Sequence, residues 1–172
     1  VRSTFGDDEG TLVTNLETAA RKNGIHDRHV TGIAHHANIS QIKIASRQGQ
    51  VDLPLKVFRA MARHNISVDF INANVSSVSY TVKDEEIAKA VEVLRQAGCE
   101  PSCLSGCAKI AIIGGGINGV PGIMASIVEA LTEQDVQILQ SADSNTTIWI
   151  LVRGEHMETS IRALHRKFRL HE

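Results

Sequence analysis

The sequence has almost no charge imbalance: 18 Lys and Arg against 19 Asp and Glu leave a formal net charge of −1 at pH 7. A field that weak gathers neither nucleic acid nor an anionic membrane, so any partner has to be recognised locally. Long hydrophobic runs are missing too. Nothing approaches the roughly 18 consecutive apolar residues of a spanning helix, and the opening VRSTFGDDEG lacks the apolar stretch that leads a secreted chain. These absences predict a cytoplasmic chain with no membrane and no nucleic-acid partner. Cysteine is also scarce. Cys99, Cys103 and Cys107 are odd in number and crowded together, which does not suit a disulfide framework. Their spacing misses the usual zinc and iron–sulfur patterns, so reduced thiols are expected. His35 and His36 are adjacent, face opposite sides of any strand and cannot share one metal ion, and no metal site is expected.

What is present is a repeat. In 172 residues, 42% hydrophobic, there is room for one medium domain or two small ones. The start at Val1 rather than Met points to a piece of something longer. From Gln41, QIKIAS alternates as a strand, and Leu55, Phe58 and Ala62 form one helical stripe. SVDFIN and SVSYTV alternate again. Asp84 or Glu85 opens a helix with Ile87, Val91 and Leu94 on one face; Gly98 ends it, and a short strand within residues 100–104 follows. The order β-α-β-β-α-β then recurs from Lys109. Val57 and Ile127, Ile66 and Val136, Val78 and Ile148, Val82 and Val152, Val91 and Ile161, and Leu94 and Leu164 all differ by 70 positions (127 − 57 = 70). In the first strand the offset is 68 (110 − 42), so the second copy has a first loop two residues longer.

A repeat of this kind sets the fold before any motif does. The prediction is α+β: two ferredoxin-like βαββαβ modules, each an antiparallel four-stranded sheet with helices on one face. The second copy ends in helix at Phe168 or Arg169 and lacks its fourth strand, leaving an open apolar edge. The expected donor is the extended segment 30–36, VTGIAHH. The predicted division is therefore residues 41–106 for the first module and 30–40 plus 107–172 for a discontinuous second one.

The loudest motif is IIGGGINGVPGI, residues 112–123, where Gly114, Gly116 and Gly119 spell G-x-G-x-x-G between a strand and a helix. Asp143, 24 residues beyond Gly119 (143 − 119), stands where a ribose-binding acid would be sought. Against a dinucleotide site, the next strand leads through DSNTT directly into another strand, where a doubly wound sheet needs a helical crossover. Two further readings remain open. The glycines permit a tight strand-to-helix turn, or Pro121 and Gly122 leave backbone amides free to hold a carboxylate, as an amino acid would require. Trp149, on an alternating strand, reads as sheet packing or interface rather than a cofactor stack. The cations of HRKFRLHE complement the dipole of the last helical turn.

VRSTF, GTLVT, VTGIA, VFRAMARHNISVDFIN, VPGIMASIVEAL and above all ILQSADSNTTIWILV, in that order across the whole chain, resemble the C-terminal regulatory region of aspartokinase, the first enzyme of the lysine, threonine and methionine pathway. The resemblance is greatest to Gram-positive isozymes linked to diaminopimelate and lysine supply. It implies a pair of ACT modules preceded by residues 1–29 as the tail of a kinase domain or linker. It also implies a homodimer, and a kinase catalytic domain or subunit as partner. The family's Lys-Phe-Gly-Gly stretch and its ATP, Mg and aspartate sites belong to that kinase part, so no catalytic residue and no cofactor are expected here. The implied ligand is an amino-acid end product: lysine, threonine or meso-diaminopimelate.

Position by position, the resemblance places effector contacts at Gly49, Gln50, Val51, Asp52 and Leu53 in the first turn of module one. Asn72, Ala73 and Asn74 on the strand beside it join them, with Gln137 and Ile138 contributed by a partner chain. The second candidate is the corresponding loop of module two: Asn118, Gly119, Val120, Pro121, Gly122 and Ile123, beside Gln140, Ser141 and Asp143. Where the family has Asp-x-Pro-Gly-Ile in module one, this chain has GQVDL, and Ala73 replaces a common Gln; Pro-Gly survives only as Pro121 and Gly122. That departure points away from a threonine-type pocket, toward a larger or different effector such as lysine or diaminopimelate, or toward a structural module with vestigial pockets. Asp52 reads first as a helix N-cap and second as an ammonium contact.

Overall fold

The computed structural model describes residues 29–46, 50–117 and 119–170. Along the chain run β1 (Gly32–Ala45), α1 (Leu53–Arg63), β2 (Asp69–Ala73), β3 (Ser77–Lys83) and α2 (Ile87–Gln96). β4 (Pro101–Ile113), α3 (Ile123–Thr132), β5 (Gln140–Asp143), β6 (Thr147–Arg153) and α4 (Met157–Lys167) follow. Short 3-10 turns, Asp84–Glu86 and Gly154–His156, lead into α2 and α4. Repeat-equivalent positions perform equivalent local tasks. α1 buries Leu53, Val57 and Met61 on one face and carries Pro54 in its first turn, where the missing N–H has no intrahelical partner to lose. Its exit passes through Asn65 at φ 53°, letting the Ile66 N–H return to the Met61 carbonyl at 3.0 Å. α3 leaves in the same way through Asp135 at φ 54°, with the Val136 N–H on the Leu131 carbonyl at 3.0 Å. Both are left-handed helix ends that satisfy an orphan carbonyl.

A four-stranded antiparallel sheet in each half was the expectation; the described strands join into one continuous antiparallel sheet, in the order β2-β3-β1-β4-β6-β5. The reason lies in two long strands, β1 of 14 residues and β4 of 13. The second part of β1, Ile39 to Ala45, pairs with β3, while its first part runs beside β4 with Gly32 opposite Ile113 and His36 opposite Lys109. The first part of β4 returns the exchange, setting Leu104 opposite Gln41 and Pro101 opposite Ile44, and its second part pairs with β6. The short strand expected within residues 100–104 is therefore the beginning of β4. Each half has four strand segments of ferredoxin-like connectivity, and two strands serve both.

A strand that serves two cores must keep its apolar side chains on the helix-covered face throughout, and each long strand does so by a bulge. Asn38 (φ 58°) and Gly106 (φ 65°) are equivalent under the first-strand offset (106 − 38 = 68) and sit where the β1–β4 register shifts. A bulge resets the period-2 alternation. Ala108, Ile110 and Ile112 consequently join Ile127, Leu131, Ile150 and Leu164 in one core, whereas Leu104 and Cys107, three residues apart, share the opposite face. The other core gathers Ile42, Ile44, Val57, Tyr80 and Leu94. On the uncovered face Ile39, Phe70, Cys107 and Leu151 make a third, smaller cluster. Across this face the Gln140 side-chain amide of β5 reaches the first half, donating to the Phe70 carbonyl of β2.

Tyr80 fills the first core at 0% exposure, its ring 5.9 Å from that of Phe58. Its hydroxyl is buried with no hydrogen-bond partner among the described residues, and burial pushes its pKa far up. An unsatisfied buried hydroxyl is a net cost. Tyr80→Phe is therefore expected to stabilise the protein by on the order of 1 kcal/mol in a urea titration; a loss of similar size would show that the hydroxyl has an acceptor.

Candidate functional site

The turn before α3 builds one of two candidate hollows. Gly114 comes first: a β-carbon on it would lie 1.6 Å from the His29 carbonyl oxygen, so this glycine exists to let the start of β1 pass. Gly122, at φ 90°, occupies the N-cap of α3, and no side chain caps the helix there. The first-turn N–H groups, with the positive end of the dipole, are thus left for something else. Gly119, Val120 and Ile123 from this turn, with Ile117 and Met124, face Ser141, Asp143 and Ile148 across a hollow of about 280 Å³. The walls are apolar apart from the Ser141 hydroxyl and the Asp143 carboxylate. In chemical terms this is an anion-favouring helix end opposite one fixed negative charge, at a volume suited to a small zwitterion.

Of the residues expected at this loop, Gly119, Val120, Ile123, Ser141 and Asp143 line the hollow; Pro121 and Gly122 shape the turn without lining it. Asn118 falls outside the described residues. Gln140 points the other way: it is 8% exposed and sits on the uncovered face of the sheet. Ile117, Met124 and Ile148 were missed by sequence reading, because as apolar residues in apolar runs they look like any other core position.

Module one gathers a different set. Gln50 and Leu53 share a hollow of about 250 Å³ with Ser46, Lys56, Gly98 and Glu100, the Ser46 hydroxyl donating to the Gln50 carbonyl at 3.1 Å. Asn72, Ala73 and Asn74 are not part of it. The Asn74 side-chain oxygen instead accepts the N–H groups of Ser76 and Ser77 at 2.9 and 3.0 Å and the Ser76 hydroxyl at 2.7 Å, closing the β2–β3 turn. Asn72 takes a 3.4 Å contact from the Asn74 amide. Val51 is 92% exposed. Asp52 does hold the N-cap position of α1, but its side chain makes no capping hydrogen bond. Gly49 lies outside the described residues. Gln137 is exposed and Ile138 half-buried against the second core, both ahead of β5. Lys56 and Glu100, the opposite charges of this hollow, left no mark in the sequence, since only the return of β4 brings Glu100 to the α1 turn.

On the uncovered face a third hollow, about 470 Å³, lies between His36, Asp69, Glu86, Lys109 and Trp149. Lys109 pairs with Asp69, its ammonium 4.7 Å from the Trp149 ring centre and 5.9 Å from that of Phe70. Trp149 thus takes the packing role expected of it. Burial pushes the Asp69 carboxyl up, but the Lys109 ammonium, the Phe70 N–H and His36 outweigh it and hold the group below its usual range. The three cysteines are free, and burial pushes the thiols of Cys103 and Cys107 up, keeping them protonated. Among the described residues no three His, Cys, Asp or Glu side chains gather as a metal site, and no helix is long and apolar enough to cross a membrane.

Comparison with known proteins adds to this geometry. The ACT domain family matches twice, over residues 45–97 and 102–166. Aspartokinase 1 of Bacillus subtilis (strain 168) is 43% identical over 170 residues, 99% of this chain and 42% of that protein. The ligand-free crystal structure of the regulatory subunit of aspartate kinase from Thermus thermophilus superposes with a TM-score of 0.74 at 28% identity, covering 81% of this chain and 99% of that one. A structure of aspartokinase alpha and beta subunits gives a TM-score of 0.76 at 26% identity, covering 82% of this chain and 99% of that one. The chain spans less than half the length of the curated relatives it matches.

Proposed function

Because this chain belongs to the ACT-domain family, carrying two such domains, and is an aspartokinase regulatory region by homology, we propose that it binds an aspartate-family amino acid and relays that binding to kinase activity. The single observation behind this is the hollow at the uncapped start of α3. The α-carboxylate of the effector meets the first-turn amides, its ammonium meets Asp143, and its side chain lies along Ile117, Met124 and Ile148. Lysine, threonine and meso-diaminopimelate all carry the common head group. The phosphoryl-transfer chemistry belongs to a kinase catalytic domain or subunit, the second proposed partner, and the setting is the cytoplasm.

A homodimer completes the proposal. β2 is an edge strand, and four large apolar side chains stand 49–97% exposed: Val51 and Leu55 at the start of α1, Ile71 on β2 and Val75 in the β2–β3 turn. Such a patch beside an open edge suits a second copy. Effector binding controls the kinase only if the two arrangements of the dimer hold the amino acid with different affinity.

Calorimetry with lysine, threonine and meso-diaminopimelate tests the reading: one of them should bind, and Asp143→Asn should weaken it about tenfold or more, the worth of a hydrogen bond to a charged group. No heat from any of the three, in a folded dimer, would overturn it. That outcome with tight dimerisation would favour the second reading, a structural dimerisation module with vestigial pockets, for which the observation is the module-one turn: Asn72, Ala73 and Asn74 stand apart from its hollow and Asn74 is taken up by its own hairpin.

A further inference from the structure

Gln140 is spent on the wrong side of β5 for a ligand contact. Its neighbour Ser141, and Asp143 beyond, line the α3 hollow, while its own amide is buried on the uncovered face of the sheet. There its oxygen accepts the Gln41 amide at 2.8 Å and the Ser79 hydroxyl at 3.2 Å, and its nitrogen donates to the Phe70 carbonyl. One side chain on an edge strand of the second half thereby holds β1, β3 and β2 of the first. The repeat turns this into a pair. Under the first-strand offset Gln41 is equivalent to Lys109 (109 − 41 = 68), and under the later offset Phe70 is equivalent to Gln140 (140 − 70 = 70). Lys109 lies against Phe70 and pairs with Asp69 next to it. Each half thus reaches from its first strand to the second strand of the other, once through amides and once through an ion pair.

We infer that Gln140 is a positioning residue that ties the β5 wall of the α3 hollow to the β2 edge, so that occupancy of the hollow is felt at the outer strand of module one. Resting as it does on the amino-acid site proposed above, the inference adds the route by which that site is regulated. The receiving end is built to respond. Phe70 is held at φ 51°, and the β2–β3 register breaks between Asp69 and Asn72. The exposed Ile71 of the proposed dimer contact is the next residue, and Val75 lies in the turn that β2 leads into. A buried amide stripped of partners is costly, so β5 cannot shift without either losing these bonds or drawing Phe70 along with it.

The test uses the full chain without ligand and reads the tie between β5 and β2 directly, so its failure is distinguishable from a failure to bind any amino acid, which would sink the function above and the occupancy signal that rests on it. In hydrogen–deuterium exchange, Gln140→Met, which keeps the volume and removes the amide, should raise exchange across residues 69–73 by about tenfold while β6 stays protected. Gln41→Met, which removes one partner only, should show a smaller rise at the same residues, and it carries the test if Gln140→Met does not fold. Unchanged exchange at 69–73 in both variants, or a rise spread evenly over the whole sheet, would overturn the inference.

Discussion

Gly114→Ala should be among the most damaging single substitutions in this protein, costing at least about 3 kcal/mol in a denaturant titration. A methyl group there would sit 1.6 Å from the His29 carbonyl oxygen, 2.7 Å from its carbon and 3.1 Å from the Val30 α-carbon. All three are backbone atoms, so no rotamer relieves the clash and the start of β1 has to leave. Exchange protection should fall at Gly32 to His36, which pair there with Lys109 to Ile113. Gly32→Ala is the control: nothing lies within 4 Å of its β-carbon, and the change should stay within about 0.5 kcal/mol. A Gly114→Ala protein as stable as the parent would mean that residues 29–30 do not cross this glycine.

Leu94→Ala and Leu164→Ala should each cost about 2–5 kcal/mol. The two leucines are repeat-equivalent (164 − 94 = 70), both 0% exposed, and lie in different cores. If the halves unfolded separately, each substitution would move its own transition. Because β1 and β4 pass through both halves, neither core can open while the other keeps its sheet intact. Each variant should therefore lower one and the same transition, with coincident midpoints by fluorescence of Trp149 in the second half and by circular dichroism of the whole. Two resolved transitions would show that the shared strands do not couple the cores.

Much of this architecture was legible in the sequence because a repeat constrains it twice. The offset of 70 paired Leu94 with Leu164 and Val57 with Ile127, and each pair takes the same place in its core. The offset of 68 in the first strand carried further information: it also relates Asn38 to Gly106, the two bulges that let a long strand serve two helix-covered cores. What no periodicity could show was the merging of two sheets into one, since it depends on the chain from Pro101 to Ile113 staying extended through that bulge. At the candidate site the loop residues were readable and their directions were not. Gln140 and Ser141 are neighbours, and strand alternation alone sends one to the hollow and the other to the opposite face. Asn74 was expected at a ligand and is engaged by Ser76 and Ser77, a short-range bond that competes well with any distant partner. Lys56 and Glu100 come to line one hollow only through the return of the chain into β4, a neighbourhood without local precedent in the sequence.

The exchange of strand segments also settles how far this region can be dissected. A cut near residue 100 would not release two working miniatures: the trailing piece would lose the stretch Gly32–His36 from beside Lys109–Ile113, and the leading piece would lose Pro101–Leu104 from beside Gln41–Ile44. Each fragment would show raw backbone N–H and C=O groups along a vacated groove, and the natural occupant of each groove is carried by the other fragment. Co-expressed, the severed pieces should find one another and re-form the parent; alone, each invites the wrong strand.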